Sequence, residues 1–171
     1  MTNKEFFTQT WQAEMPKTLG AINALPKDMD KLNYRCDEKA RSAAQLIGHI
    51  LSHAESLNHA TKTFISDEKA DKKFSSVAEA ADSFEKNATQ VGEKLNGIDD
   101  KTWEEQIVEY QVDGHKIFAY PMSAIFWTVM HDIVHHRGQL STYYRHMGVR
   151  NPNIYGPTAE DMEEMMAKMN A

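Results

Sequence analysis

The chain has 171 residues, of which 41% are hydrophobic and 26% are charged. This length predicts one globular domain over residues 1–171, with enough apolar residues for a core and too few residues for two domains. The formal net charge of −6 disfavours nucleic acids and anionic membrane surfaces as partners.

The N-terminal residues 1–5 lack the charged-then-apolar pattern of a signal peptide. No apolar run approaches the roughly 18 residues needed to span a bilayer, so we expect a soluble, cytoplasmic protein. A first helix is predicted over residues 3–25, where apolar side chains recur at helical spacing. Pro16 lies inside this pattern and predicts a kink or a break, because proline lacks the backbone N–H that a helix uses.

The polar, irregular residues 27–38 predict a connection across one end of a helical bundle. This connection contains Cys36, the only cysteine, so no intramolecular disulfide can form and a reducing compartment is the simpler assumption. No histidine or helix N-terminus that would activate the thiol is evident nearby in the sequence. We therefore expect Cys36 to be a buried or incidental thiol.

Two further helices are predicted in the middle of the chain. The second starts within residues 39–42, continues to about residue 65, and carries His49 and His53 four positions apart on one face. The charged residues 67–73 predict a turn. Residues 76–79 (SVAE) form a capping-box pattern that places the start of the third helix, which contains no histidine.

Residues 103–120 change to a period of two, with Asp113-Gly114 as the signal for a two-residue hairpin turn. Pro121 is compatible with the start of a fourth helix, predicted to continue to about Met147. A short methionine-rich amphipathic helix is predicted from about Thr158. Together these elements predict an all-α fold: a four-helix bundle with long connections, a small β-hairpin insertion and a short C-terminal helix.

The fourth helix contains a dense group of potential metal ligands. Asp132 and His136 share one face, and His131 and His135 share a face rotated by about 100°. Together with the His49/His53 pair on the second helix, either pair could form a metal site in the bundle core, for which zinc, nickel, copper or iron would be suitable ions. A cluster of surface histidines is the alternative.

The remaining candidates are interpreted as structural. We expect Arg137 to pair with a carboxylate such as Glu55. Three histidines have no partner at chelating spacing, and three tryptophans are expected to pack rather than to form a ligand cage. These residues are His59, His115 and His146, and Trp11, Trp103 and Trp127.

Three segments resemble the DinB-like (DinB/YfiT) superfamily, the damage-inducible group of metal-binding four-helix bundles. Residues 41–49 (RSAAQLIGH) are similar to its second-helix motif, which ends in a ligand histidine. Residues 135–143 (HHRGQLSTY) resemble its fourth-helix signature, and residues 154–157 (IYGP) resemble the ending of one subgroup. The resemblance covers nearly the whole chain.

The resemblance implies a metal site of three histidines, one from the second helix and a pair four residues apart from the fourth, completed by water. Its first and last positions fall on His49 and His136, whereas Asp132 stands where the commoner pattern has histidine. An aspartate can bind the same divalent ions as a ligand, or it can orient a neighbouring histidine. His53 and His135 lie nearby as residues that could orient the ligands.

Two classes of function follow from the resemblance. One is a metal-dependent enzyme, either a transferase that uses a low-molecular-weight thiol or a hydrolase in which the metal, such as zinc or nickel, activates water. The other is a non-catalytic stress-response protein that binds metal or a small molecule. The resemblance also implies a homodimer.

Overall fold

A computed structural model of the protein describes residues 1–170, in which four long helices form the expected bundle. None of the helices in these residues combines the length and the apolar character that crossing a bilayer would need. The four long helices are α1 (Asn3–Asn23), α2 (Ala43–Thr63), α3 (Val77–Leu95) and α5 (Met122–Ser141). Two short helices are α4 (Asp100–Glu105) and α6 (Ala159–Met169), and a 3-10 helix covers Met29–Asn33.

Side-chain caps place the helix starts. Thr2 and Glu5 form a capping box at α1, and Ser42 and Gln45 form another at α2. At α3 the hydroxyl of Ser76 caps the helix as predicted. The Glu79 carboxylate accepts a hydrogen bond from the backbone N–H of Ser75, the residue before the cap. Helix α5 ends at Ser141, earlier than the predicted end at about Met147. The turns that follow it end at Gly148, whose φ is 78°.

Of the two outcomes predicted at Pro16, a kink or a break, the break does not occur, since α1 continues through Pro16 to Asn23. Pro16 is exposed to solvent, while its neighbours Met15 and Thr18 are buried in the bundle. Packing of these buried neighbours supplies the stability that compensates for one missing backbone hydrogen bond.

The bundle is a ring in which α1 and α2 lie opposite each other, each packing against both α3 and α5. The interior is filled by aliphatic and aromatic residues from all four helices. Because α2 and α5 are direct neighbours, side chains from the predicted ligand faces can meet between them.

A three-stranded sheet covers one side of α2 and α5. Its order is β1 (Ile65–Glu68), β2 (Ile107–Val112), β3 (His115–Pro121), with β1 parallel to β2 and β2 antiparallel to β3. The predicted hairpin is confirmed, and Asp113 and Gly114 in its turn have φ of 50° and 78°. The prediction of a turn from residue 67 was wrong, since residues 67 and 68 belong to β1.

Gly48, directly before His49 in α2, packs closely against the backbone of Lys72. A Cβ atom at this position would lie 2.2 Å from the carbonyl oxygen of Lys72. We therefore expect Gly48→Ala to lower the free energy of unfolding by about 2 kcal/mol or more, because helix and loop would have to separate. At the control position Gly20, no atom lies within 4 Å of an added Cβ. Gly20→Ala should therefore raise the free energy of unfolding by about 0.5–1 kcal/mol. Denaturant unfolding curves measure both, and equal stability of the two variants would contradict the close packing.

Candidate metal centre

Three histidines and one aspartate meet between α2 and α5. His49 and His53 come from α2, Asp132 and His136 from α5, and the ligand atoms of all four lie within 4.8 Å of one another. Each pair is four residues apart and so shares one helix face. This group, called here the His/Asp cluster, could hold a metal ion, because imidazole nitrogen and carboxylate oxygen are the donors that divalent transition metals bind.

One carboxylate oxygen is the centre of the cluster. Asp132 Oδ2 lies 2.8 Å from His53 Nε2, 3.3 Å from His136 Nε2 and 3.4 Å from His49 Nε2. Burial alone would raise the pKa of Asp132, but its contacts with His136, His49 and His53 outweigh burial and hold that pKa well below its ordinary value. Asp132 is therefore an anion around which three imidazoles converge.

His53 is held by a carboxylate on each side. Its Nδ1 lies 2.5 Å from Glu68 Oε1 on β1, and both side chains are 2% exposed. Burial alone would lower the pKa of His53, but hydrogen bonds with Asp132 and Glu68 raise it. At the neighbouring His49, burial is the largest influence and the pKa is lowered despite the contact with Asp132.

His136 is oriented by a side chain one turn further along α5. The Gln139 amide oxygen accepts a hydrogen bond from His136 Nδ1 at 2.8 Å, and its amide nitrogen lies 3.0 Å from His135 Nε2. In the neutral ring with its proton on Nδ1, His136 Nε2 carries the lone pair, which is the form that binds a metal. Arg41 Nη1 lies 3.3 Å from this nitrogen.

The alternative pair on α5 lies outside the cluster. His131 is exposed and packs on Trp127, with ring centroids 5.5 Å apart. His135 is also exposed and contacts the His136 ring from the side. The structure thus brings His49, Asp132 and His136 together as the resemblance implies, adds His53 to the same group and leaves out His131 and His135.

Among the residues expected to be structural, Trp11 and Trp103 are buried core residues, as expected. The three other histidines lie apart from the cluster: His59 contacts a backbone carbonyl, His146 stacks on a tyrosine, and His115 is exposed at the start of β3. Cys36, expected to be buried or incidental, is exposed, with its Sγ 3.3 Å from the hydroxyl of Tyr143.

Arg137 pairs with a carboxylate, as predicted, but its partner is Glu14 and not Glu55. Its guanidinium faces α1, where Nη2 lies 2.5 Å from the Glu14 carboxylate and Nη1 donates to the Thr18 hydroxyl at 3.0 Å. Tyr155 also hydrogen-bonds both Arg137 and Glu14. Glu55 instead pairs with Lys72, because it lies on the side of α2 that faces the loop after β1.

Two cavities border the cluster along α5. The larger, about 800 Å³, reaches His136, contains Lys39 and Arg41, and is called here the basic cavity. The smaller, about 430 Å³, reaches His53 and Asp132 beside the stacked rings of Tyr110 and Phe118, and is called here the aromatic cavity. His135 borders both. The cluster is thus open to small molecules from two directions.

Comparison with known proteins agrees with this architecture. A model described as the DinB family matches residues 1–169. A DinB-like protein from Bacillus cereus is 24% identical, with a TM-score of 0.69 over 88% of this chain and 97% of its own. A DinB-like protein from Bacillus subtilis is 17% identical, with a TM-score of 0.64 over 89% of this chain and 99% of its own. No curated protein matches the sequence.

Proposed function

Since the chain belongs to the DinB family, we propose that it is a divalent-metal-dependent enzyme that transfers a low-molecular-weight thiol to an electrophilic carbon. The proposed ligands are His49, Asp132 and His136, with zinc or nickel as the suitable ions. In this proposal His53 is not a ligand but orients Asp132, because both of its nitrogens already face carboxylates, at 2.5 Å and 2.8 Å. An open position then remains for a reactant.

The observation that carries the proposal is the pair of cavities. A transfer between two organic molecules needs space for both beside the ion, and the basic and aromatic cavities supply it. A divalent ion would keep a bound thiol in its thiolate form at neutral pH, with the thiol proton released to solvent. The new carbon–sulfur bond forms as the bond to the leaving group breaks, and the leaving group departs with the electron pair.

The protein's own residues position the reactants. Gln139 holds the His136 ring with Nε2 directed into the cluster, and Glu68 holds His53 against Asp132. The flat, parallel rings of Tyr110 and Phe118, 4.6 Å apart, offer an apolar wall for the electrophile. A hydrolase acting on one organic molecule would use only one of the two cavities.

The test is turnover of a chromogenic aryl halide with a panel of low-molecular-weight thiols. We expect turnover by metal-loaded protein, its loss on adding a chelator and its return with zinc or nickel. The His49→Ala/His136→Ala variant should have no turnover and no bound metal, while His59→Ala, outside the cluster, should match the wild type. Turnover that survives the chelator would argue against the metal mechanism. A metal-loaded protein without turnover for any thiol would favour the non-catalytic binding role.

We also propose that the protein is a homodimer. Helix α6 has no buried residue, and four methionines at helical spacing on it are 44% to 83% exposed: Met162, Met165, Met166 and Met169. Ion pairs with Arg145 and Arg150 hold the acidic side of α6 and leave the methionine face open to a second copy. Light scattering should return twice the chain mass, and Met165→Lys/Met166→Lys should return the mass of one chain. A wild-type monomer would contradict the proposal.

A further inference from the structure

The basic cavity contains two cations that have no carboxylate partner. Within residues 1–170, Arg137, Arg145 and Arg150 all form ion pairs, whereas Arg41 and Lys39 form none. None of the residues that line the cavity is acidic, although the chain as a whole carries a formal charge of −6. The lining of the basic cavity is therefore locally positive, in contrast to the negative charge of the chain as a whole.

The position of Arg41 conflicts with metal binding. Gln139 accepts from His136 Nδ1, so the Nε2 lone pair of His136 faces the guanidinium of Arg41 at 3.3 Å. That lone pair cannot accept a hydrogen bond from Arg41 and coordinate a metal ion at the same time. When an ion binds, the Arg41 guanidinium must turn away from His136 while its backbone stays at the edge of the cluster, directly before the cap of α2.

With a metal ion bound, the site would carry a net positive charge, which favours an anionic ligand. A divalent ion held by two neutral imidazoles and the Asp132 carboxylate keeps one positive charge, which a thiolate would neutralise. Arg41 and Lys39 add two further positive charges on the cavity side. The guanidinium of Arg41 presents a planar pair of N–H donors that matches a carboxylate, and such paired, charged hydrogen bonds are among the strongest available to a ligand.

We propose that Arg41, assisted by Lys39, is an anion subsite that selects an acidic thiol, whose carboxylate binds Arg41 while its sulfur reaches the metal. This inference rests on the proposed thiol-dependent function and names the chemical class of its nucleophile. A neutral or cationic thiol of the same size lacks the group that Arg41 binds and is discriminated against.

The test uses protein loaded with Co²⁺, in which a bound thiolate produces a charge-transfer absorption band. Dissociation constants are measured for mercaptosuccinate, which carries two carboxylates, and for uncharged 2-mercaptoethanol. We expect mercaptosuccinate to bind at least about ten-fold more tightly and this ratio to approach one in Arg41→Gln. Arg41→Lys should recover part of it, because it keeps the charge but not the paired donors. Arg35→Gln, on the same loop but outside the cavity, should keep the full ratio.

A ratio near one in the wild type, or an unchanged ratio in Arg41→Gln, would overturn the subsite. A second arm separates this result from failure of the thiol function itself. Succinate, which has no sulfur, is added to the Co²⁺-loaded protein and the visible metal bands are followed. If no thiol produces the charge-transfer band, the thiol function fails, while a response to succinate that requires Arg41 still supports the subsite. If neither a thiol nor succinate changes the spectrum, both the thiol function and the anion subsite are rejected.

Discussion

Replacement of Asp132 by asparagine is expected to weaken the binding of a divalent ion by about 100-fold or more. The substitution keeps the shape of the side chain but removes the negative charge on which three imidazole nitrogens converge at 2.8–3.4 Å. Without that charge, the remaining proposed ligands would be neutral imidazoles only. Competition with a chromogenic chelator measures the affinity, and unchanged binding would contradict the assignment of Asp132 as a ligand.

The metal affinities of two histidine variants serve as comparisons for Asp132→Asn. His53→Ala should weaken binding by about ten-fold, less than the loss of a ligand, because in our proposal His53 orients Asp132 without touching the ion. His131→Ala, on the same helix but outside the cluster, should bind as tightly as the wild type. If His53→Ala lost as much affinity as Asp132→Asn, His53 would have to be counted among the ligands.

The largest effect on stability is expected from Arg137→Met, which should cost about 3–5 kcal/mol of unfolding free energy in metal-free protein. The guanidinium is 1% exposed, so its removal leaves the Glu14 carboxylate, 12% exposed, without its closest cation. Glu55→Gln, which breaks the exposed pair with Lys72, should cost about 1 kcal/mol or less. In the double variant Glu14→Gln/Arg137→Met the cost should be smaller than the sum of the two single changes. Strict additivity would show that the pair does not act as a unit.

The same pair predicts a dependence of stability on pH. Burial alone would raise the pKa of Glu14, but hydrogen bonds from Lys17, Tyr155 and Arg137 lower it from 4.5 to about 2. Because the folded pKa lies below the unfolded one, Glu14 contributes stability that is fully present above about pH 4.5 and is lost as the pH falls towards 2. Unfolding curves of wild type and Glu14→Gln should therefore converge as the pH falls through this range. A constant difference would contradict the low pKa.

The helices could be predicted from the sequence because their signals are local. Apolar spacing marked all four long helices, and the Ser76 cap was placed at the correct residue. The hairpin turn at Asp113-Gly114 was equally clear, since residues with positive φ have a distinctive composition. Whether α1 breaks at Pro16 or continues through it could not be decided in this way, because the outcome depends on tertiary packing.

Strand β1 shows why part of the site could not be predicted. Its sequence, Ile-Ser-Asp-Glu, has no alternation of apolar residues, and its pairing partner β2 starts about forty residues later. Glu68 looked like a charged turn residue, yet it is buried against His53. By contrast, the four-residue spacing of Asp132 and His136 could be read directly from the sequence. The choice of this face of α5, and of His49 as its partner on α2, came from the family resemblance. Similarly, the contact between Arg137 and Glu14 depends on how α5 is rotated about its axis, and sequence spacing does not determine this rotation.

The contacts of His53 have a consequence for how the protein matures. One imidazole joins β1 through Glu68 and α5 through Asp132, the latter 79 residues away along the chain. Bringing such distant segments together carries an entropic cost of loop closure that must be met before the contacts form. A newly made chain with its helices in place but its parallel strand pairing still open would lack the Glu68 contact that holds His53 against Asp132. In our proposal such a chain would bind a metal ion less tightly than the completed fold, so partly folded chains would compete poorly for the metal.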